Sequence, residues 1–242
     1  MKILIYNDSG TGKNCTPYTY NLFKSHFQDF YKVAYVNSFD LLNSNWETET
    51  KLLVIPGGRD LPYKEKLNGE GNKRIKQFVA NGGSYLGICA GAYYGSKQIE
   101  FGKGSKYEII EERELAFIDC IARGPTFGIE EFSYDENSVG KLVKVSANDS
   151  YFYSYYNGGC FFELNKNNYE ILASYQELNN LPAVVYGKYQ KGNIILSGIH
   201  FEYDINCLSP KILYSDREKF VETENKKDIF IYELIKKLNL KI

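Results

Sequence analysis

The chain has 242 residues, a length that suits one large α/β domain with an ample hydrophobic core. Its 29 basic and 30 acidic residues leave a formal net charge of -1, which gives no electrostatic footprint for nucleic acid or an anionic membrane. The sequence has no run of about 18 consecutive apolar residues, so we expect no transmembrane helix. The apolar run at the amino terminus is too short for a signal peptide, and we expect a cytoplasmic protein.

The cysteines do not follow a metal-binding or disulfide pattern. They are Cys15, Cys89, Cys120, Cys160 and Cys207. Their number is odd and no two are spaced as C-x-x-C, so neither a disulfide framework nor a zinc knuckle is expected. We expect a reducing environment, no metal and no cofactor. All of the cysteines except Cys89 are interpreted as small apolar fillers.

Strand-like and helix-like segments alternate through the first half of the chain. In order, they are the strand Lys2–Tyr6, the helix Tyr18–Phe30, the strands Val33–Val36 and Leu52–Ile55, the helix Asn72–Asn81 and the strand Ser84–Ile88. The helices carry apolar residues at helical spacing, such as Ile75, Phe78 and Val79, and the strands are short apolar runs. This β-α-β order predicts a mostly parallel sheet with helices on both faces.

Strand signals dominate the second half, where glycine or asparagine turns separate short apolar runs. The predicted strands are Leu142–Val145, Cys160–Leu164, Tyr169–Ser174, Ala183–Tyr189 and Asn193–Leu196. Asp216–Leu240 is the last helical candidate, and its many charges indicate a solvated face. No repeat or linker interrupts the sequence, so we expect a single domain over residues 1–242, with added β segments in its second half.

The pattern Gly87-Ile88-Cys89-Ala90-Gly91 follows the last strand of the first half and precedes a short helix-like stretch. A strand that turns sharply into a helix presents one side chain at the apex, and flanking glycines relieve the steric cost of that turn. The apex residue here is a cysteine, so the sequence predicts a nucleophile elbow with Cys89 as the nucleophile. A buried structural thiol is the alternative interpretation.

A thiol nucleophile needs a base, and the base needs an orienting partner. Of the two histidines, His26 lies within the first predicted helix and is interpreted as structural, whereas His200 follows the last predicted strand. Glu202 lies two residues after His200, and positions i and i+2 of an extended segment point to the same side. We therefore predict a Cys89-His200-Glu202 triad. A satisfied loop histidine and a surface carboxylate are the structural alternatives for the last two residues.

Two backbone segments are candidates for stabilising the oxyanion of an acyl transfer. The N–H of Ala90 directly follows the nucleophile, and glycine in the turn Pro56-Gly57-Gly58 lets backbone amides approach a substrate. The loop Ser9-Gly10-Thr11-Gly12-Lys13-Asn14 resembles a phosphate loop, but Asn7 and Asn14 stand where that motif needs glycine and serine or threonine. We interpret this loop as a turn that rims the pocket.

Taken together, three stretches resemble the class I glutamine amidotransferase-like superfamily: Pro56-Gly57-Gly58, Gly87 to Gly91, and His200-Phe201-Glu202. The sequence is more similar to one branch, the N-terminal domain of eukaryotic biotin–protein ligases and its stand-alone bacterial relatives. This similarity is carried by Gly57 to Tyr63, Gly87 to Tyr93, Glu100-Phe101 and Tyr156 to Gly159. The resemblance implies a flavodoxin-like sheet, a Cys89-His200-Glu202 triad and an oxyanion site near Gly58 and Ala90.

The resemblance implies a thiol amidohydrolase or amidotransferase that acts on glutamine or another small amide. The candidate pocket-wall residues are Gly57, Asp60, Tyr63, Glu100, Tyr156, Asn157, Gly158 and Gly159. The alternative is a non-catalytic ligand-binding or regulatory module, which Phe201 favours because the amidotransferase pattern has proline there. A third option is a related thiol protein in which Cys89 is reversibly oxidised. The expected partners are a small-molecule amide or metabolite and a ligase or synthetase, with no nucleic acid and no membrane.

Overall fold

A computed structural model describes residues 1–129 and 140–241 of the chain. The first half contains, in order, β1 (Lys2–Tyr6), α1 (Cys15–Phe27), β2 (Lys32–Val36), α2 (Ser38–Asn43), β3 (Thr50–Ile55), α3 (Asp60–Leu67), α4 (Glu70–Ala80), β4 (Ser84–Ile88), α5 (Ala90–Gly95), β5 (Ser96–Phe101), β6 (Ile109–Glu112) and β7 (Ile118–Gly124). The second half contains β8 (Lys141–Ala147), β9 (Ser150–Tyr156), β10 (Phe161–Leu164), β11 (Glu170–Tyr175), β12 (Leu181–Tyr189), β13 (Gly192–Ser197), α6 (Tyr214–Glu222) and α7 (Glu224–Lys237).

A nine-stranded sheet forms the centre of the described structure, with the strand order β2-β1-β3-β4-β13-β12-β11-β8-β9. The strands from β2 to β13 in this order pair in parallel, whereas β12, β11, β8 and β9 are antiparallel additions. Strand β13 joins the two parts, because it pairs with β4 in a register that aligns Ser197 with Ile88. The segments that follow β4 and β13 therefore leave the sheet side by side at one edge.

Different helices cover the two faces of the parallel half. Ile3 of β1 belongs to a buried cluster with Phe23 of α1 and Phe230 of α7. Leu4, the next residue, belongs to a second buried cluster that also includes side chains of α2, α3 and α4, namely Leu41, Tyr63 and Ile75. Successive residues of a strand point to opposite faces, so both faces are buried and the parallel strands are apolar throughout.

A second sheet of four strands has the order β10-β7-β5-β6. Strands β5 and β7 are parallel, and β10 and β6 flank them in antiparallel pairings. Cys120 and Phe162 of this small sheet share a buried cluster with Tyr85 and Leu196 of the main sheet. The small sheet therefore packs on the same face of the main sheet as α2 to α5.

The fold class predicted from the sequence is confirmed: an α/β fold with a parallel sheet, helices on both faces and added β segments in the second half. Helix α1 begins and ends three residues earlier than predicted, because Phe30, although at helical spacing, is 52% exposed rather than buried. The last helical candidate is two helices, α6 and α7, which meet at Thr223.

Some elements carry no strong signal in the sequence. Helix α3 contains Pro62 in its first turn. The N–H groups of a first turn have no partner within the helix, so the missing N–H of proline costs no hydrogen bond there. No helix is predicted from the sequence over these residues. Strands β5, β6 and β7 were also not predicted. None of the helices in the two described ranges is long and apolar enough to cross a membrane.

Candidate active site

Cys89 lies between β4 and α5 in a backbone conformation that L-residues rarely adopt, with φ 50° and ψ -105°. The flanking glycines leave no room for a side chain. A Cβ on Gly87 would overlap the carbonyl of Gly91, and a Cβ on Gly91 would overlap the carbonyl of Ile55. Strain of this kind costs about 1–3 kcal/mol and persists only where the surrounding packing enforces it. The packing of β3, β4 and α5 therefore fixes where the Cys89 side chain starts.

His200 and Glu202 form a buried pair just after β13. Each residue is 4% exposed, and His200 Nδ1 lies 2.6 Å from Glu202 Oε1. The backbone N–H of His200 donates to the carbonyl of Tyr155 at 2.9 Å, which ties this segment to β9. The rings of Tyr155 and Tyr203 stack on each other at 4.1 Å, and both make edge contacts with the imidazole. The second oxygen of Glu202, Oε2, is buried and has no hydrogen-bond partner among the described residues.

The buried neighbours of His200 set its charge state. Burial by itself lowers the pKa of a histidine, because it disfavours the charged imidazolium. The negative charge of Glu202, together with the interaction with Cys89, outweighs burial and raises the pKa of His200 well above its ordinary value. Glu202 also orients the ring through Nδ1, so Nε2 is the nitrogen left for a reacting group.

Gly57 adjoins both His200 and Cys89. A Cβ placed on Gly57 would lie 2.6 Å from His200 Cε1 and 3.5 Å from Cys89 Cβ, so the two side chains flank one methyl-sized space. The topology brings them together because each follows the end of one of two paired parallel strands. The Cys89 thiol also donates to the carbonyl of Asn157, with an Sγ to O distance of 3.6 Å.

Cys89 borders a cavity of about 410 Å³. Gly58 and Ala90, whose N–H groups were predicted as oxyanion donors, line the same cavity. Ala90 is the first residue of α5, so no carbonyl of that helix accepts a bond from its N–H. The remaining lining residues are Arg59, Asp60, Leu61, Pro62, Glu65, Tyr93, Ile99, Phe101, Ile109, Asn157 and Gly158. Cys89, Gly58 and Ala90 therefore border one cavity.

The sequence candidates for the pocket wall divide into two groups. Asp60, Asn157 and Gly158 line the cavity, whereas Gly57, Tyr63, Glu100, Tyr156 and Gly159 do not. The Tyr63 hydroxyl donates to the carbonyl of Gly57 at 3.1 Å, and the Tyr156 hydroxyl donates to the carbonyl of Gly159 at 2.9 Å. Glu100 forms ion pairs on the small sheet. These five residues support backbone or neighbouring strands rather than facing the cavity.

The glycine-containing loop after β1 forms backbone hydrogen bonds with the turn that follows β3. The N–H of Gly12 donates to the carbonyl of Gly57 at 2.9 Å, and the N–H of Arg59 donates to the carbonyl of Gly10 at 2.8 Å. None of residues 9–14 lines the cavity beside Cys89, so the expectation that this loop rims the pocket is corrected. The loop instead holds the turn that carries Gly58.

Sequence reasoning missed two residues at the site. Arg113, only 1% exposed, donates from Nε and Nη2 to Asp60 Oδ2 at 2.8 and 2.7 Å. It stands among Glu111, Glu112 and Glu114, a charge run that indicates a solvated face in the sequence. Cys15 is the second missed residue, and only the structure reveals that its Sγ lies 3.2 Å from the Cβ position of Gly57. Burial raises the pKa of the Cys15 thiol, which keeps it neutral.

No group of three or more His, Cys, Asp or Glu side chains within residues 1–129 and 140–241 is arranged to hold a metal ion.

The fold is similar to that of a solved glutamine amidotransferase. A solved glutamine amidotransferase aligns with a TM-score of 0.57 and 18% sequence identity, over 83% of this chain and 90% of that chain. The chain belongs to the family described as biotin-protein ligase, N terminal, which matches residues 1–242.

Two relatives differ greatly in length. A biotin–protein ligase of Schizosaccharomyces pombe is 34% identical over 213 residues, which is 84% of this chain but 33% of the ligase. An uncharacterized protein of Chlamydia muridarum is 33% identical over 247 residues, covering 98% of this chain and 95% of the relative. The chain therefore spans about a third of the ligase that it matches, and nearly the whole of the chlamydial protein.

Proposed function

We propose that the protein is a thiol-dependent amidohydrolase or amidotransferase of small amides, with Cys89 as the nucleophile, His200 as the base and Glu202 as its orienting carboxylate. One observation carries the proposal. The buried His200–Glu202 pair, with Nδ1 2.6 Å from Oε1, and a backbone-strained Cys89 both adjoin Gly57. Glutamine is the amide named for the solved amidotransferase of the same fold.

In the proposed reaction, His200 takes the thiol proton at Nε2, and the Cys89 sulfur attacks the amide carbonyl. The raised pKa of His200 supports this role, because it favours the imidazolium beside a thiolate. As the C–N bond breaks, the same proton passes to the leaving amine. Water then attacks the thioester, giving a carboxylic acid and the free thiol. The overall change is amide plus water to acid plus amine.

The tetrahedral intermediate carries a negative oxygen that needs fixed donors. Gly58 and Ala90 support this step, because both line the cavity that Cys89 borders. The sharp turn at Cys89, a nucleophile elbow in this proposal, keeps the sulfur next to the Ala90 N–H. Each such donor contributes roughly 100-fold or more to the rate in enzymes that use an oxyanion hole.

The proposal is tested by electrophile labelling, followed by peptide mass spectrometry. We expect chloroacetamide or a glutamine-like chloroketone to modify Cys89 faster than Cys207, which is less buried than the other cysteines and serves as an internal control. The Cys89→Ala variant removes the fast labelling. His200→Gln slows it by about 100-fold, because the base no longer removes the thiol proton.

Labelling of Cys89 at the same rate in the wild type and in His200→Gln contradicts the proposed base. Failure of every amide-like electrophile to prefer Cys89 over Cys207 contradicts the proposed nucleophile. Circular dichroism of each variant establishes that the fold is retained, so that a slow rate reports on chemistry.

A ligand-binding module without turnover is the second candidate function. It is supported by the bond from the Cys89 thiol to the Asn157 carbonyl, because this bond directs the thiol to a backbone acceptor rather than to His200. The similarity to a third of a biotin–protein ligase supports a role beside such an enzyme. Saturable ligand binding that persists in Cys89→Ser, without hydrolysis in the wild type, favours this function over the first.

A further inference from the structure

The cavity beside Cys89 has a polar rim and an apolar floor. Arg59 and Glu65 are exposed, whereas Tyr93, Ile99 and Phe101 are 5%, 1% and 7% exposed and lie at its base. The ring of Phe101 packs edge-on against that of Tyr93 at 5.7 Å, so the floor is a continuous surface of carbon atoms. Whatever part of a ligand reaches this floor exchanges water for apolar contact.

The position of His200 decides which part of an amide reaches the floor. His200 is not among the residues that line the cavity, whereas Cys89 is, and His200 adjoins Gly57, which does not line the cavity either. In an amide hydrolysis the leaving amine takes its proton from the base, so the amine half lies on the His200 side of the thiol. The acyl half then points away from His200, into the cavity.

A glutamyl acyl group is a poor fit to this floor. Its α-ammonium and α-carboxylate lie a few bonds from the reacting carbonyl, and both lose their water where they meet the apolar floor of Tyr93, Ile99 and Phe101. Burying a charge without a partner costs several kcal/mol. Asp60, a buried carboxylate in the wall, is already held by Arg113. An acyl group that contains only carbon and hydrogen beyond its carbonyl avoids this cost.

We propose that the acyl half of the Cys89 substrate is an apolar group of about six to ten carbon atoms, either an alkyl chain or a ring on a short chain. This inference rests on the proposed hydrolase function and names its substrate class. A cavity of about 410 Å³ has room for such a group, since pockets for small ligands measure about 300–1,000 Å³. The thioester forms as the C–N bond breaks, and its hydrolysis releases the apolar carboxylic acid.

A series of p-nitroanilides with acetyl, butanoyl, hexanoyl, octanoyl and γ-glutamyl groups tests the substrate class. We expect kcat/KM to rise about fourfold for each added methylene until the cavity is filled. The γ-glutamyl compound is expected to be at least tenfold worse than the octanoyl compound. A flat dependence on chain length, or a preference for the γ-glutamyl compound, overturns the proposal.

Two matched variants locate the effect. Leu61 lies at the rim and is 36% exposed, so Leu61→Asn removes apolar wall without touching the core. Ile110, on β6, is 44% exposed and does not line the cavity, which makes Ile110→Asn the matched control. We expect the octanoyl to acetyl ratio of kcat/KM to fall several-fold in Leu61→Asn and to stay unchanged in Ile110→Asn. Equal ratios in the two variants contradict the assignment of this wall.

Binding to Cys89→Ala separates this inference from the proposed function. Isothermal titration of that variant compares octanamide with glutamine, and neither requires a reaction. Octanamide is expected to bind at least tenfold more tightly. If octanamide binds and the wild type hydrolyses no amide, the proposed function fails while the cavity assignment holds. If glutamine binds more tightly, the cavity assignment is overturned, whatever the wild type hydrolyses.

Discussion

At the scale of single residues, the buried His200–Glu202 pair makes stability depend on pH. Glu202 and Cys89 raise the pKa of His200 above the value of an unfolded chain, so the folded protein holds a proton that the unfolded chain releases first. This stabilisation is fully present below a pH of about 6.5, the unfolded value. It is lost as the pH rises through the raised folded value.

Replacing Glu202 with glutamine tests this linkage. We expect the stability advantage of the wild type over Glu202→Gln to be largest near pH 6 and to shrink by up to about 1.4 kcal/mol per pH unit in the alkaline range. Urea unfolding at pH values from 6 to 10 measures it. Glu218→Gln, the same change at an exposed position of α6, serves as the control. An advantage that does not change with pH contradicts the role of Glu202.

At the scale of secondary-structure elements, one buried ion pair ties α3 to the segment after β6. Arg113 is 1% exposed, and Asp60, the first residue of α3, is 12% exposed in its side chain. Burial raises the pKa of Asp60 even though Arg113 opposes that shift, so the carboxylate depends on its partner. Lys64 of α3 adds a second link, to Glu111 within β6, at 2.6 Å. Ion pairs therefore fix the position of α3, which forms one wall of the cavity.

Arg113→Met is expected to lower the free energy of unfolding by about 3–5 kcal/mol, because it leaves the Asp60 carboxylate buried without a partner. The double variant Arg113→Met/Asp60→Asn regains part of that loss, since the uncompensated charge is gone. Arg123→Met is the matched control: its guanidinium also pairs with two carboxylates but is 29% exposed. We expect the control to lose about 1 kcal/mol or less. Chemical denaturation of all three variants measures these values, and equal losses in Arg113→Met and Arg123→Met contradict the argument.

Local patterns account for the elements that were predicted correctly. The strand Ser84–Ile88 and the helices α1 and α4 have apolar spacing that a short window of sequence contains. Strands β5 and β6 mix exposed and buried positions, and they are defined by pairing with each other and with β7 rather than by composition. The ion pair of Arg113 and Asp60 joins residues 53 positions apart, so a short window of sequence does not predict this pairing.

At the scale of the whole molecule, parallel pairing explains how the candidate site could be anticipated at all. Cys89 and His200 are distant in sequence, yet both follow strands, and the carboxyl ends of parallel strands share one edge of a sheet. That rule places the thiol, the imidazole and the Gly57-Gly58 turn near one another without coordinates. The rule does not say which side chains face the open space. Tyr63 and Glu100 have polar groups near this edge, but packing turns them to other partners.

The connection between the two sheets passes directly beneath the His200 segment, and we expect it to tolerate no side chain. A Cβ on Gly159 would overlap the carbonyl of Gly198, two residues before His200. The Gly159 carbonyl also accepts bonds from Thr126 and Tyr156, so the backbone has no freedom to move aside. Gly159→Ala must therefore push β10 and the small sheet away from the segment that carries His200.

We expect Gly159→Ala to lower the free energy of unfolding by about 3 kcal/mol and to slow electrophile labelling of Cys89, because the imidazole shifts with its backbone. Gly104→Ala is the control, since a Cβ there meets nothing within 4 Å and only its φ of 79° costs about 1 kcal/mol. Urea unfolding and labelling rates measure both variants. If Gly159→Ala matches Gly104→Ala in both measurements, the small sheet moves independently of the His200 segment. The candidate site would then depend on the main sheet alone.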